Sequence, residues 1–294
     1  MTSSPRLWAI ADLHLASAPN RRALPLLKSR PDDWLIVAGD VGETEDHLRF
    51  ALDVLADKFA RLIWVPGNHD LWTLPTDGLR GEAKYRSLVK ICRERGVLTP
   101  EDPYPLWPDR SAGPEAPGAR ALRLVPLFLL YDYSLTPSPM TADDALRWAE
   151  ETGIRCADED LLHFPPHDSR QDWCAKRLRD TRSRLDAELG PDEGTVLISH
   201  WPLRSDFFLP ARIERFAIWC GSRETHDWHR RYRAEVVVYG HLHIKRTHWH
   251  DGVRFEEVSL GYPAHWDQTK GIDAYLRPIL PLNQPHSTTR EPRS

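Results

Sequence analysis

Trp34-Leu35-Ile36-Val37-Ala38-Gly39-Asp40 and, after a gap of about twenty residues, Leu62-Ile63-Trp64-Val65-Pro66-Gly67-Asn68-His69-Asp70 share one design. Each is a short, almost continuous apolar run that stops at glycine and then at a residue with a polar side chain. Runs of this kind are strands buried on both faces, as in a parallel sheet covered by helices. Between them Leu48, Leu52, Leu55 and Phe59 recur at i, i+4, i+7 and i+11, the apolar stripe of an amphipathic helix. The unit therefore reads as strand, helix, strand, and the fold class as α/β.

The same pattern recurs outward along the chain: Leu7-Trp8-Ala9-Ile10-Ala11, Thr195-Val196-Leu197-Ile198 and Val236-Val237-Val238-Tyr239. A second helix is predicted from about Asp172 to Leu189, with Cys174, Leu178, Thr181 and Leu185 on one side, Ser169 as its cap and Gly190-Pro191 as its stop. Asp251-Gly252 between Thr247-His248-Trp249-His250 and Val253-Arg254-Phe255 predicts a hairpin, so the sheet mixes parallel and antiparallel strands. The six prolines between Pro100 and Gly118 predict a surface loop at 100–118. A cap insertion is expected at about 131–190, with a short helix over Thr141 to Glu151, and a flexible tail at 282–294. Residues 1–294 then form a single domain.

Composition narrows the function classes. With 41% hydrophobic and 28% charged residues over 294 positions, folding can bury roughly three quarters of the unfolded surface, which argues against disorder. The longest apolar stretch, Leu124 to Tyr131, is broken by Pro126 and falls far short of the ~20 residues of a spanning helix. Leu7 to Ala11 ends on Asp12, too brief for the core of a signal peptide, so a cytoplasmic location with no membrane partner is expected. A net charge of −4 provides no global field for nucleic acid, and none is expected as a partner. Four scattered cysteines without a C-x-x-C pair read as reduced thiols.

The chemistry sits where the strands stop. In chain order they end on Asp12-Leu13-His14, Gly39-Asp40, Gly67-Asn68-His69-Asp70, Ser199-His200 and Gly240-His241-Leu242-His243. In open α/β sheets ligands bind beyond the carboxyl ends of the strands, where groups distant in sequence converge. Taken singly, each group has a plain structural reading: Gly-Asp is a common turn and a lone histidine is more often satisfied structure. The ordered set of five has no such reading. Carboxylates, an amide oxygen and imidazoles are ligands for first-row divalent metals, and the count predicts two ions. Asp12, His14, His243 and Asp40 would hold one; Asn68, His200, His241 and Asp40 the other, with Asp40 bridging. Such a pair clamps a phosphoryl group and acidifies a water between the ions. His69, beside a ligand but not needed as one, is placed to protonate a leaving oxygen.

This ordered set resembles the calcineurin-like metallophosphoesterase superfamily, and the resemblance implies a four-layered α/β/β/α sandwich with a dinuclear centre of Fe, Mn or Zn and the ligand assignment just given. Further stretches look like the phosphopantetheine hydrolases, which remove 4′-phosphopantetheine from holo carrier proteins: Asp32 to Asp40, Ile63 to His69, Leu127 to Ser134, Trp173-Cys174, Trp219-Cys220-Gly221, Asp227-Trp228-His229, and Tyr239 through Gly261-Tyr262-Pro263. Trp201 after His200, and Ala264-His265-Trp266, depart from that pattern. The resemblance implies a phosphodiesterase acting on holo acyl or peptidyl carrier proteins, with Fe or Mn as the metals expected first and Zn as the further choice. Trp72, Trp201, Tyr131, Tyr133 and Tyr262 are candidates to line the slot for the pantetheine arm. Two basic stretches, Lys176 to Arg184 and Arg204 to Arg233, are candidates for docking an acidic carrier protein. The competing readings are a metallophosphoesterase acting on another ester, whether phosphoprotein, nucleotide or nucleic acid, and a fold kept as a protein-interaction scaffold.

Overall fold

The computed structural model describes residues 4–108, 121–205 and 211–282. The prolyl loop is described only up to its residue 108, and the tail only at its first residue, Leu282; the remainder of both lies outside the described residues. Among the described residues nine strands form two sheets. The first has the order β3-β2-β1-β9, with β1 (Leu7–Ile10), β2 (Arg30–Ala38) and β3 (Phe59–Val65) parallel and β9 (Arg277–Leu280) antiparallel to β1. The second has the order β4-β5-β6-β8-β7, built from β4 (Leu122–Pro126), β5 (Gly194–Ile198), β6 (Ala234–Tyr239), β7 (Thr247–His250) and β8 (Val253–Glu257). Only β7 runs antiparallel to its neighbour there. Asp251 and Gly252 both have positive φ in the turn joining β7 to β8, as a tight hairpin requires.

Successive side chains of a strand point to opposite faces, and here both faces are buried. Ala9, Ile36, Ala38, Ile63 and Val65 of the first sheet share a core with Leu124, Val196, Ile198, Val236 and Val238 of the second. The alternate residues, among them Leu35, Val37, Leu62, Trp64, Leu197 and Val237, belong instead to the core that includes the helices. The helices are α1 (Ala18–Ala23), α2 (Glu45–Ala56), α3 (Asn68–Leu71), α4 (Glu82–Arg93), α5 (Ala142–Glu150), α6 (Asp158–Leu161), α7 (Arg170–Glu188) and α8 (Trp228–Arg231). The order of layers is thus helices, sheet, sheet, helices, which is why these strands carry apolar residues at nearly every position.

α2 buries Leu48, Leu52 and Leu55, as the stripe predicts, and Thr44 caps it by accepting from the His47 amide. It ends at Ala56, however, and Phe59 opens β3 rather than extending the stripe. α7 starts two residues before its predicted position, capped by Ser169, whose hydroxyl accepts from the Asp172 amide. The stretch expected as a cap, about 131–190, follows the irregular run from Leu127 and holds the short helices α5 and α6 and then α7. All four cysteines are free thiols. Among the described residues no helix is long and apolar enough to cross a membrane.

Candidate metal centre

The two sheets, which share a core, are also joined by backbone pairing just past β1 and β8. Ala11, just past β1, pairs with Ser259, just past β8, through Ala11 N–H to Val258 O and Leu260 N–H to Ala11 O, each within 3.0 Å. This seam brings the loops after β1, β2 and β3 against those after β5 and β6. Those five loops carry the seven predicted ligands.

The ligand atoms converge in two groups. In one, His243 Nε2 lies 3.0 Å from Asp12 Oδ1 and 3.1 Å from His14 Nε2, while Asp40 Oδ2 is 4.0 Å from His14 Nε2. In the other, Asn68 Oδ1 is 3.2 Å from both His200 Nε2 and His241 Nδ1, and those two nitrogens are 3.2 Å apart. Asp40 Oδ1 faces this group at 3.5 Å from His200 Nε2. Asp40 thus turns one oxygen to each group. Ligands bonded at about 2.1 Å to a shared ion lie about 3.0–3.4 Å apart when adjacent and up to about 4.2 Å apart when opposite, so both the short separations and the longer ones to Asp40 leave room for a cation between the atoms. His200 donates Nδ1–H to Ala38 O at 2.9 Å, which leaves Nε2 as a lone pair turned inward.

Electrostatics agree with the geometry. Burial pushes His14, His200 and His241 below the ordinary histidine value, so their imidazoles are neutral and able to ligate. Burial likewise drives the Asp40 carboxyl well above the usual carboxylate range, and the nearby Asp12 and Asp70 add to it. Asp12 would rise by burial too, but the charge and hydrogen bond of His243, with His200 and His14, hold it well below that range. His243 is the exception: burial would lower it, but the charge and hydrogen bond of Asp12 raise it, so a proton there meets the Asp12 charge that a bound cation would otherwise meet.

The backbone is committed to the arrangement. Five of the seven predicted ligands, Asp12, His14, Asp40, His241 and His243, have φ between 43° and 75°, the left-handed region that residues with a Cβ rarely adopt. Close approach explains the adjoining glycines: a Cβ on Gly67 would collide with the Asp40 carboxylate, and one on Gly240 with that of Asp12. Asp70 braces two ligand loops by accepting from the amides of Asp40, Val41, Gly42 and Gly67, and burial raises its carboxyl to about 6 against those bonds. Ser259 donates to Asp12 Oδ2 at 2.6 Å, and His265 Nδ1 sits 3.0 Å from His243 Nδ1.

His69 stands beside both groups. Its amide donates to Asp40 Oδ1 at 2.8 Å, its Nε2 lies 3.9 Å from Asp40 Oδ2, and its ring lies over Trp72 with centroids 3.6 Å apart. Behind it, Glu43 Oε1 is 3.7 Å from Nδ1. Lys84, buried on α4, donates to the carbonyls of Glu43 and Trp72, and so pins both residues that flank the ring.

The five aromatic candidates divide. Tyr262 is 40% exposed and stacks on His14 at 4.2 Å, and Trp72 is half-buried on His69. Trp201, Tyr131 and Tyr133 are buried: Trp201 packs behind His200 and His241, and the Tyr133 hydroxyl bonds Glu159 and Arg170. Most of the basic candidates are engaged internally as well. Arg177 packs over Phe128 and pairs with Glu101, while Arg182, Arg184, Arg215 and Arg231 pair with Glu224, Glu188, Glu151 and Asp186.

Sequence reasoning passed over Glu43, Asp70, Asp158, Ser259 and His265. Glu43 and Asp70 follow Asp40 and Asn68 at short spacing, so proximity to the motifs was a usable signal. Asp158 offered none, since it reaches Asn68 across 90 residues of sequence.

Comparison with known proteins agrees with this geometry. The calcineurin-like phosphoesterase family model matches residues 5–245. The acyl-carrier-protein phosphodiesterase PptH of Mycobacterium tuberculosis is 46% identical over 283 residues, covering 95% of this chain and 84% of that protein. The crystal structure of the phosphopantetheinyl hydrolase PptH from Mycobacterium tuberculosis matches with a TM-score of 0.87 and 44% identity, over 97% of this chain and 99% of that one. On this family match and this relative, the chain belongs to the calcineurin-like phosphoesterases.

Proposed function

We propose that the chain is a phosphodiesterase that hydrolyses the bond between 4′-phosphopantetheine and the serine of a holo acyl or peptidyl carrier protein, giving apo carrier protein. The observation that carries the reading is a cluster of seven candidate donors with His69 Nε2 3.9 Å from Asp40 Oδ2 beside it, in a chain similar over 95% of its length to a protein named for this activity. Asp12, His14, His243 and Asp40 would hold one ion, and Asn68, His200, His241 and Asp40 the other. When bound, the ions polarise the phosphoryl oxygens and acidify the attacking water. Imidazole and carboxylate donors suit Fe or Mn, with Zn also compatible.

The chain's own residues then act on the leaving group and the substrate arm. A serine alkoxide is a poor leaving group and needs a proton as the P–O bond breaks. His69 holds that proton at Nε2, and the Glu43 carboxylate, 3.7 Å from Nδ1, favours the charged ring that carries it. Tyr262 and Trp72 wall the approach on either side of the His14 and His69 rings and are the surfaces offered to the pantetheine arm. The single-domain organisation with a cap and the cytoplasmic location belong to the same proposal.

Intact mass spectrometry of a holo acyl carrier protein, incubated with the Mn- or Fe-loaded protein, tests it. Loss of the phosphopantetheine mass, slowed in a His69→Ala control, is the expected result. Turnover of an aryl phosphodiester with the carrier untouched would remove the carrier-protein substrate and keep the ester chemistry.

A further inference from the structure

Asp158 opens the short helix α6 in the region expected as a cap, and it is fully buried. Its Oδ1 accepts from Asn68 Nδ2 at 2.9 Å and from Trp72 Nε1 at 2.6 Å. Its carboxylate makes no ion pair among the described residues, and its Oδ2 is buried without a hydrogen-bond partner. Burying a carboxylate with no cation against it is unfavourable, so such a group points to a task at the place where it is held.

The task follows from the amide it binds. An amide side chain has one donor end and one acceptor end, and a half-turn of its terminal bond exchanges them. Only with Oδ1 turned toward His200 and His241 does Asn68 offer an oxygen to an ion. The carboxylate, which accepts and cannot donate, admits only Nδ2 on its own side, and so sets the amide the right way round. The same oxygen fixes the Trp72 indole, whose ring lies against His69.

Asp158 is itself held from behind. Arg170 of α7 donates to its carbonyl at 2.9 Å and pairs with Glu159, which also accepts from Tyr133 and Trp219. Thr73 N–H bonds Leu161 O at 2.8 Å, tying α6 to the loop after Trp72.

From this geometry we infer that Asp158 is a positioning residue that orients Asn68 as a metal ligand and Trp72 against His69, keying the cap region to the ion site formed by Asn68, His200 and His241. The inference deepens the proposed phosphodiesterase reading and rests on it only for the use made of the ions.

The test is Mn²⁺ titration of the purified full chain against a competing chelator dye, with no substrate present, for wild type, Asp158→Ala, Asp158→Asn, Asn68→Ala and the Asn68→Ala/Asp158→Ala double variant. Removing such an outer partner weakens metal binding or activity about 10–100-fold. Asp158→Ala should therefore weaken one of the two equivalents by that factor and leave the other unchanged. Asp158→Asn keeps an oxygen that can accept from Trp72 and Asn68 but adds a donor end that can turn toward Asn68, so it should recover only part of the affinity. In the Asn68→Ala background, Asp158→Ala should add nothing.

Wild-type affinity for both equivalents in Asp158→Ala, or a full further loss in the double variant, would overturn the inference. Should Asp158→Ala not fold, the isosteric Asp158→Asn decides alone: a loss as large as that of Asn68→Ala would sink the acceptor role. Turnover of an aryl phosphodiester and of the holo carrier is measured separately. An inert carrier beside the expected metal affinities would discard the carrier reading and leave Asp158 in its role.

Discussion

Glu43 stands behind His69, its Oε1 3.7 Å from the ring's Nδ1, on the side away from the ligand cluster. An acid held in this way matters in proportion to how badly the leaving group needs a proton. His69→Ala should slow hydrolysis of an alkyl phosphodiester by about 10²–10⁴-fold, the usual weight of general acid catalysis, and slow an activated aryl diester far less. Glu43→Gln should show the same ordering at smaller amplitude. Paired kcat measurements on the two diesters check it; equal losses on both would remove His69 from the proton-transfer role.

Gly67 and Gly240 are required for space. Gly67→Ala sets a methyl group into the Asp40 carboxylate, and Gly240→Ala does the same to Asp12. Each variant should lose bound metal and activity together while circular dichroism still reports a folded chain. Retention of two ions per chain in either would show that the loops give way easily.

Trp201 and Tyr262 should part company in a stability assay. Trp201 is 1% exposed, so Trp201→Ala should cost about 3–5 kcal/mol in urea denaturation. Tyr262→Ala loses only an exposed stack on His14, about 0.5–1.5 kcal/mol. If its ring meets the pantetheine arm, KM for the holo carrier should rise by up to about ten-fold with kcat little changed.

Far from the centre, Glu101 accepts from Tyr85 OH at 2.6 Å and pairs with Arg177 at 2.8 Å. Burial would raise its carboxyl, but Arg177 and the tyrosine hydrogen bond outweigh it and hold the group below 4.5, its ordinary value. A depressed carboxyl stabilises the fold above the unfolded value, and that contribution is lost as pH falls through the folded value. The melting temperature should therefore drop on acidification below about pH 4.5, and Glu101→Gln should flatten that part of the profile. An unchanged acid slope in the variant would place the acid sensitivity elsewhere.

Much of the centre could be read from residues alone because its ligands sit at the ends of apolar runs. A run such as Leu35 to Ala38 announces a buried strand, and whatever follows it lies at the sheet's edge, whichever strand it comes from. What could not be read depends on contacts between distant segments. Phe59 fits the stripe of α2 as well as the start of β3, and only strand pairing with Arg30 decides between them. Tyr131 and Tyr133 follow a strand as the ligands do, yet α6 and α7 close over them. The arginines of α7 look like a solvated face in one dimension, but Arg177 turns inward to Phe128 and Glu101. Asp158 belongs to this class, since nothing near it in the chain shows that it meets Asn68.

The five ligands with positive φ also bear on how this protein could change over time. Each carries roughly 1 kcal/mol or more of backbone strain that glycine would relieve. A descendant that no longer used its ions would therefore shed strain by drifting to glycine at His14 and His243, whereas Asp12 and Asp40 also accept from the His241 amide, Ser259 and the His69 amide, and glycine there would orphan those donors. Strain and hydrogen bonding therefore pull these positions in different directions. Decay of the ion site would accordingly show first at the histidines, while the two aspartates outlast it as hydrogen-bond partners of the loops.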